Sequence, residues 1–330
     1  MNTPSMRRFL KLAQITLVFV YLVIIAGSVV RATGAGMGCP DWPKCFGHWI
    51  PPTDASQLPS NYRSFYKVQE QSAEPFNALK TWTEYGNRLV GAVLGLLMFA
   101  QVLAAFRMRK SNSFFLKLAL ATLLLTGMEG VLGAIVVYNN LKAGVITIHM
   151  FLSLIILVTQ SFLVFRVSLT VHALSQVASR SHPTAAPLYE AKPYLKNLII
   201  FSFLMTTVQI LLGTQVRESV DVLMKNFDIN SRGDILNFVG WKFSVHASFA
   251  LFVTLLNLFL LIKIVRDKIL YALLKPQVLG IAFVLLLEMI AGTTLKLFAL
   301  PALVQPVHLL LAALLFGLQW GLVLRSRITE

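Results

Sequence analysis

Three histidines of this chain stand in long apolar surroundings. His149, His246 and His308 each lie inside a stretch rich in Leu, Val, Ile and Phe, where an ionisable side chain is costly and usually marks function. Their spacing adds a second signal. Glu129-x3-Gly133-x15-His149 recurs as Glu288-x3-Gly292-x15-His308, and Gly27-x2-Val30-Arg31 recurs as Gly213-x2-Val216-Arg217. A closed zinc site would want four ligands, often thiolates, and neither cysteine lies in an apolar stretch. Imidazoles on facing helices of an apolar bundle suit haem iron, which is commonly held by His. Such a group also needs cations for its propionates. Arg31, Arg88 and Arg217 stand at the ends of the same stretches and are the candidates, ordinary snorkelling at helix ends being the plain alternative.

The elements that position these residues follow from composition. Of 330 residues, 56% are hydrophobic and only 13% charged, against about 25% charged in a soluble domain. Apolar runs near the ~20 residues needed to cross a bilayer recur along the whole length. Eight segments qualify, at about residues 12–30, 82–105, 114–137, 144–166, 197–216, 239–262, 277–295 and 303–324. The first ends in Val30-Arg31 without a small-residue cleavage site and reads as a span rather than a removable signal. The expected fold is therefore an all-α polytopic membrane protein with both termini on one side.

Basic residues indicate which side. Arg107, Arg109 and Lys110 crowd one tight turn, and 17 of the 29 Lys and Arg fall in the loops and ends on that side. The opposite loops are longer in total and carry most of the acids, including Asp41, Asp54, Glu70, Glu74, Glu218, Asp221, Asp228 and Asp234. Lys and Arg close to spans favour the cytoplasmic face, so both termini are expected in the cytoplasm. The formal charge of +15 then reflects topology rather than a nucleic-acid partner.

The repeats divide the chain into two four-span halves in the same orientation. Residues 1–167 form the first, with a long outer loop at 31–80. A cytoplasmic linker occupies 168–196, and residues 197–330 form the second half. At 1.5 Å per residue, His149, His246 and His308 share one depth, about 9–10 Å below the outer face. The matching place on the second span is Asn87, and Glu129 and Glu288 reach a similar level.

These residues place the chain in a family. It resembles haem A synthase, the membrane enzyme that oxidises a methyl group of haem O to the formyl of haem A for terminal cytochrome oxidase. The resemblance covers nearly the whole chain. It rests on Gly27-x2-Val-Arg31-x-Thr33-Gly-x-Gly36 running into Gly38-Cys39-Pro-Asp-Trp-Pro-Lys-Cys45, on Glu84-Tyr-Gly-Asn-Arg88-Leu, on Leu132-Gly133-Ala leading to His149, and on His246 and His308. It implies a duplicated four-helix bundle, a b-type haem held by His246 and His308 in the C-terminal half, and substrate haem O in the N-terminal half with His149 as axial ligand. It also implies a catalytic role for Glu84, a carboxylate on the helical face of the ligand position three residues on. The family usually has His where this chain has Asn87, so His149 is expected to be the sole protein nitrogen on the substrate iron. Implied partners are haem O synthase, cytochrome oxidase subunit I and a membrane electron acceptor, with a homo-oligomer left open. The implied setting is the bacterial inner membrane.

Cys39 and Cys45 fall in an outside loop, where a disulfide is plausible; a structural staple and a redox-active pair are both open. His48 reads as a plain loop residue, and His172 and His182 as solvated linker residues. Two other functions stay open beside the enzyme: a di-haem b-type electron-transfer protein and a non-catalytic haem carrier.

Overall fold

The computed structural model describes residues 3–66, 75–139, 141–178, 192–226 and 235–326. Among these the chain is helical, with one isolated bridge between Cys45 and His48 and no strand. Ten α-helices are described: α1 (Thr3–Ala32), α2 (Tyr62–Phe65), α3 (Ala78–Arg107), α4 (Ser113–Tyr138), α5 (Ala143–Ala178), α6 (Pro193–Asn226), α7 (Ile235–Val239), α8 (Trp241–Arg266), α9 (Lys268–Leu297) and α10 (Val304–Ser326). All but α2 and α7 are long and apolar enough to cross a membrane, eight in total. The eight expected spans are all present, and the chain is an integral membrane protein.

The helices outrun the apolar windows. α5 continues to Ala178 through residues the sequence assigns to a linker, and α6 continues through Glu218 and Asp221 to Asn226. Hydropathy falls where charges begin, but a helix satisfies its own backbone and needs no apolar residue to continue. The basic segment before residue 277 is also helical. Asp267 is the single residue between α8 and α9 and caps α9, its carboxylate accepting from Leu270 N at 3.1 Å. α9 then carries Pro276 within it. Asn77 and Asn112 cap α3 and α4 in the same way. Residues 179–191, with Arg180 and His182, lie outside the described residues, as do Glu70, Glu74, Asp228, Asp234 and Arg327.

The chain forms two compact units, Met1–Ser179 and Arg180–Glu330. In the first, α1 packs against α3 and α5, and α4 closes the ring between them. In the second, α6 packs against α8 and α10, and α9 closes that ring. Thus α3 and α5 are diagonal in one unit, as α8 and α10 are in the other. The apolar core of the first unit lies toward the end remote from the histidines, and that of the second runs from that end up to Ala291 and Leu311. Met6, Phe9, Ala105, Phe115 and Leu163 fill the first, and Leu195, Ile199, Leu260, Ile264 and Leu322 lie in the second.

A buried polar layer lies beside each core. Gln160 on α5 donates to Gln101 Oε1 on α3 and to the Ala13 carbonyl on α1, both at 2.9 Å. Gln319 on α10 donates to Asn257 Oδ1 on α8 at 2.6 Å, and Ser202 on α6 donates to the same oxygen at 3.1 Å. Gln160 and Gln319 stand at the same distance along the chain from His149 and His308. The turns repeat too. Leu141 and Leu300 follow α4 and α9 with φ of 58° and 60°, and each N–H bonds back five residues, to Val136 O and Leu295 O. Leucine is poorly suited to this left-handed region, which costs roughly 1–2 kcal/mol.

Candidate functional site

The loop after α1 is pinned to the start of α3. Cys39 and Cys45 form a disulfide and are fully buried. Glu84, 4% exposed, accepts from the Cys39 N–H through Oε2 at 2.8 Å and pairs with Arg88 through Oε1 at 2.5 Å. Arg88 also donates to the carbonyls of Asp41, Lys44 and Cys39 at 2.7, 2.8 and 3.2 Å. One arginine therefore gathers both ends of the disulfide loop, and one carboxylate fixes that arginine. Thr81 adds a bond to the Gly38 carbonyl at 2.8 Å. Gly38 has to be glycine here, because a Cβ would sit 2.5 Å from the Lys80 carbonyl oxygen. Beyond the loop, Phe46 packs edge-on against Tyr62, Tyr66 and Phe76. His48 takes part through its backbone, paired with Cys45.

Sequence reasoning groups Arg88 with Arg31 and Arg217 as a carboxylate partner, and the structure separates them. Arg88 is committed to the loop. Arg31 lies 3.7 Å from Met150 Sδ, beside His149. Arg217 bonds Gln305 near the start of α10 and pairs with Asp221 at 2.9 Å. Each of these two arginines thus reaches the histidine-bearing last helix of its own unit.

His149, on α5, faces α4. Its Nδ1 is 3.2 Å from Glu129 Oε1, close enough for a charge contact although off the line of a straight hydrogen bond. Its Cε1 lies 3.6 Å from where a Cβ on Gly133 would stand, an ordinary van der Waals contact, so the ring rests against that helix. Asn87, on the diagonal helix α3, faces Gly27 of α1 at 3.9 Å from a Cβ there. The Asn87 amide oxygen is buried with no hydrogen-bond partner.

The second unit carries the same plan with different partners. His308 Nδ1 lies 3.1 Å from Glu288 Oε1, and its ring lies against Gly292, 3.4 Å from a Cβ there. His246, on α8, faces Gly213 of α6 still more closely, at 3.1 Å. Gln209 on α6 holds it: Nε2 is 3.1 Å from His246 Nδ1 and donates to the His246 carbonyl at 3.2 Å. His246 and His308 lie within electrostatic reach of each other. Nothing in the motif spacing points to Gln209, since its role appears only once α6 packs on α8. This unit has Phe243 and Ala247 where the first has Glu84 and Arg88, so among the described residues the loop lock belongs to the first unit.

Among the described residues no group of three or more His, Cys, Asp or Glu is placed to hold a bare metal ion. The donor set is instead one imidazole in the first unit and two in the second; Nδ1 of His149 and of His308 lies beside a carboxylate oxygen, whereas Nδ1 of His246 faces the amide NH2 of Gln209. An Nδ1–H directed at a carboxylate leaves Nε2 of His149 and of His308 for a metal, which fits haem iron. The orphaned Asn87 oxygen and the buried, unpartnered Oε2 atoms of Glu129 and Glu288 mark the same regions as built for a further group.

Over residues 11–320 the sequence matches the family of cytochrome oxidase assembly proteins, COX15-CtaA. The chain belongs to the COX15-CtaA family. Every site residue described above lies inside that match. The chain is 36% identical over 139 residues to a heme A synthase of Shewanella oneidensis, which is 42% of this chain and 39% of that one. It is 25% identical over 170 residues to a heme A synthase of Geobacillus kaustophilus, 52% and 46% of the two chains. To a heme A synthase of Rhizorhabdus wittichii it is 25% identical over 207 residues, 60% and 56%. The match spans less than two thirds of each of these relatives.

Proposed function

We propose that this member of the COX15-CtaA family is a haem A synthase, an oxidoreductase that converts a methyl group of haem O to the formyl of haem A for cytochrome oxidase assembly. One observation carries the reading. The second unit sets His246 and His308 on diagonal helices, each ring lying against a glycine and backed by a polar side chain of the neighbouring helix. In this reading the pair holds a resident b-type haem, and Arg217 meets its propionates. Bound there, the haem supplies one-electron redox chemistry. In the first unit His149 is the single ligand for substrate haem O, Asn87 leaves the opposite face unligated, and Arg31 is the propionate cation.

Oxidising a methyl group to a formyl with an oxygen taken from water releases protons and electrons; the electrons leave to the membrane acceptor, and Glu84 is the carboxylate assigned to the protons. It lies on the Asn87 face of α3 and is held ready by Arg88 and the disulfide loop. A carboxylate so placed takes up protons or steadies developing positive charge, help typically worth 10²–10⁴-fold. The Cys39–Cys45 bridge acts in this reading as a staple that keeps Glu84 in place. The protein sits in the bacterial inner membrane with both termini cytoplasmic. It receives haem O from its synthase, delivers haem A toward oxidase subunit I and passes electrons to a membrane acceptor.

The test is pigment extraction and chromatography after expression with and without a haem O synthase. A formyl-bearing haem is expected only when both proteins are present. A protein that binds haem yet yields no new pigment would instead be a carrier or an electron-transfer cytochrome.

A further inference from the structure

The two glutamates beside the last-helix histidines have no part in the reaction outlined above, yet the fold places them identically. Glu129 meets His149 Nδ1 at 3.2 Å and Glu288 meets His308 Nδ1 at 3.1 Å. Each comes from the helix that packs directly on the histidine's own, and each lies one turn before the glycine on which the ring rests. Both carboxylates are mostly covered, with side-chain exposures of 14% and 16%. A buried carboxylate is costly unless it satisfies a charged or hydrogen-bonding partner, and this cost is met twice, at the same place in each unit.

We propose that Glu129 and Glu288 are positioning residues, each drawing the Nδ1–H of its neighbouring imidazole toward itself so that Nε2 of His149 and of His308 is presented to haem iron as an oriented, electron-rich donor. A carboxylate behind a ligating imidazole fixes its tautomer and ring orientation and raises its basicity. The two ligands of the second unit are then unequal. His308 Nδ1 faces an anionic acceptor, whereas His246 Nδ1 faces the NH2 group of the neutral Gln209 amide. In the first unit the anion-backed imidazole stands alone opposite Asn87. The ligand common to both units is the carboxylate-backed one, and the position across from it is where the units differ.

This inference rests on the reading that these histidines ligate haem, and its test separates the two. The full-length protein is purified in lipid nanodiscs, and haem content, haem affinity and reduction midpoint potential are measured for wild type, Glu288→Gln and Glu288→Leu. Glu288→Gln preserves shape and an acceptor oxygen while removing the charge, so it is expected to keep its haem and to titrate at a higher potential. Glu288→Leu is expected to bind haem about 10- to 100-fold more weakly. Wild-type potential in the Gln variant together with wild-type affinity in the Leu variant would overturn the inference alone. A wild-type protein that takes up no haem would overturn the functional reading and this inference with it.

Discussion

At the scale of single residues, charge and hydrogen bonding are not interchangeable, and Glu84 shows why. Both its oxygens are engaged, one by the Cys39 amide and one by Arg88, so a neutral replacement tests charge and a broken loop tests position. Glu84→Gln is expected to retain bound haem and to lose formyl production, read as the absence of haem A in a pigment extract. If Cys39→Ser with Cys45→Ser gives the same loss while Glu84→Gln does not, the carboxylate serves the loop alone. For the second unit, His246→Ala and His308→Ala are each expected to abolish a low-spin b-type spectrum, an unchanged Soret band being the contrary result. The chemistry-bearing residue types were legible beforehand because Glu, Gly and His recur at fixed spacing in an apolar background. The partners of Arg88 were not, since a guanidinium at a helix end looks the same in sequence whether it meets a propionate or a loop carbonyl. Gln209 was hidden for a related reason, as an amide inside a span carries no spacing signal.

At the scale of elements, the loop between α1 and α3 shows how close approach is written into sequence as glycine. Gly38 passes so near the Lys80 carbonyl that an added methyl would overlap it. Overpacking of this kind typically costs about 1–3 kcal/mol, so Gly38→Ala is expected to lower the thermal midpoint and to speed proteolysis between residues 33 and 66. A midpoint equal to wild type would show that the loop can move aside. The eight spans were legible because hydropathy alone defines them. The helix ends were not, because caps such as Asn77, Asn112 and Asp267 and the single-residue turn between α8 and α9 act through backbone geometry. The same holds for Pro276, which marks a boundary by sequence rules yet lies inside α9.

At the scale of the whole molecule, the two units share a framework and differ in equipment. Paired turns at Leu141 and Leu300, polar layers at Gln160 and Gln319, and ring-bearing glycines recur in both. The disulfide, Glu84 and Arg88 occur in one. Orientation can be checked directly: alkaline phosphatase, active only outside the cytoplasm, is expected to be active when fused after Ile50 and silent when fused after Lys110, and the reverse would invert the assigned sidedness. Gly27 leaves α1 bare opposite Asn87, just as Gly213 does opposite His246. Asparagine and histidine codons differ by their first base, so one nucleotide change would install an imidazole at residue 87 with no bulk to clear from the facing helix. At the ligand position alone the difference between the units is a single transversion, and a genetic screen that rewards a second ligand would meet it as a one-step change rather than a redesign.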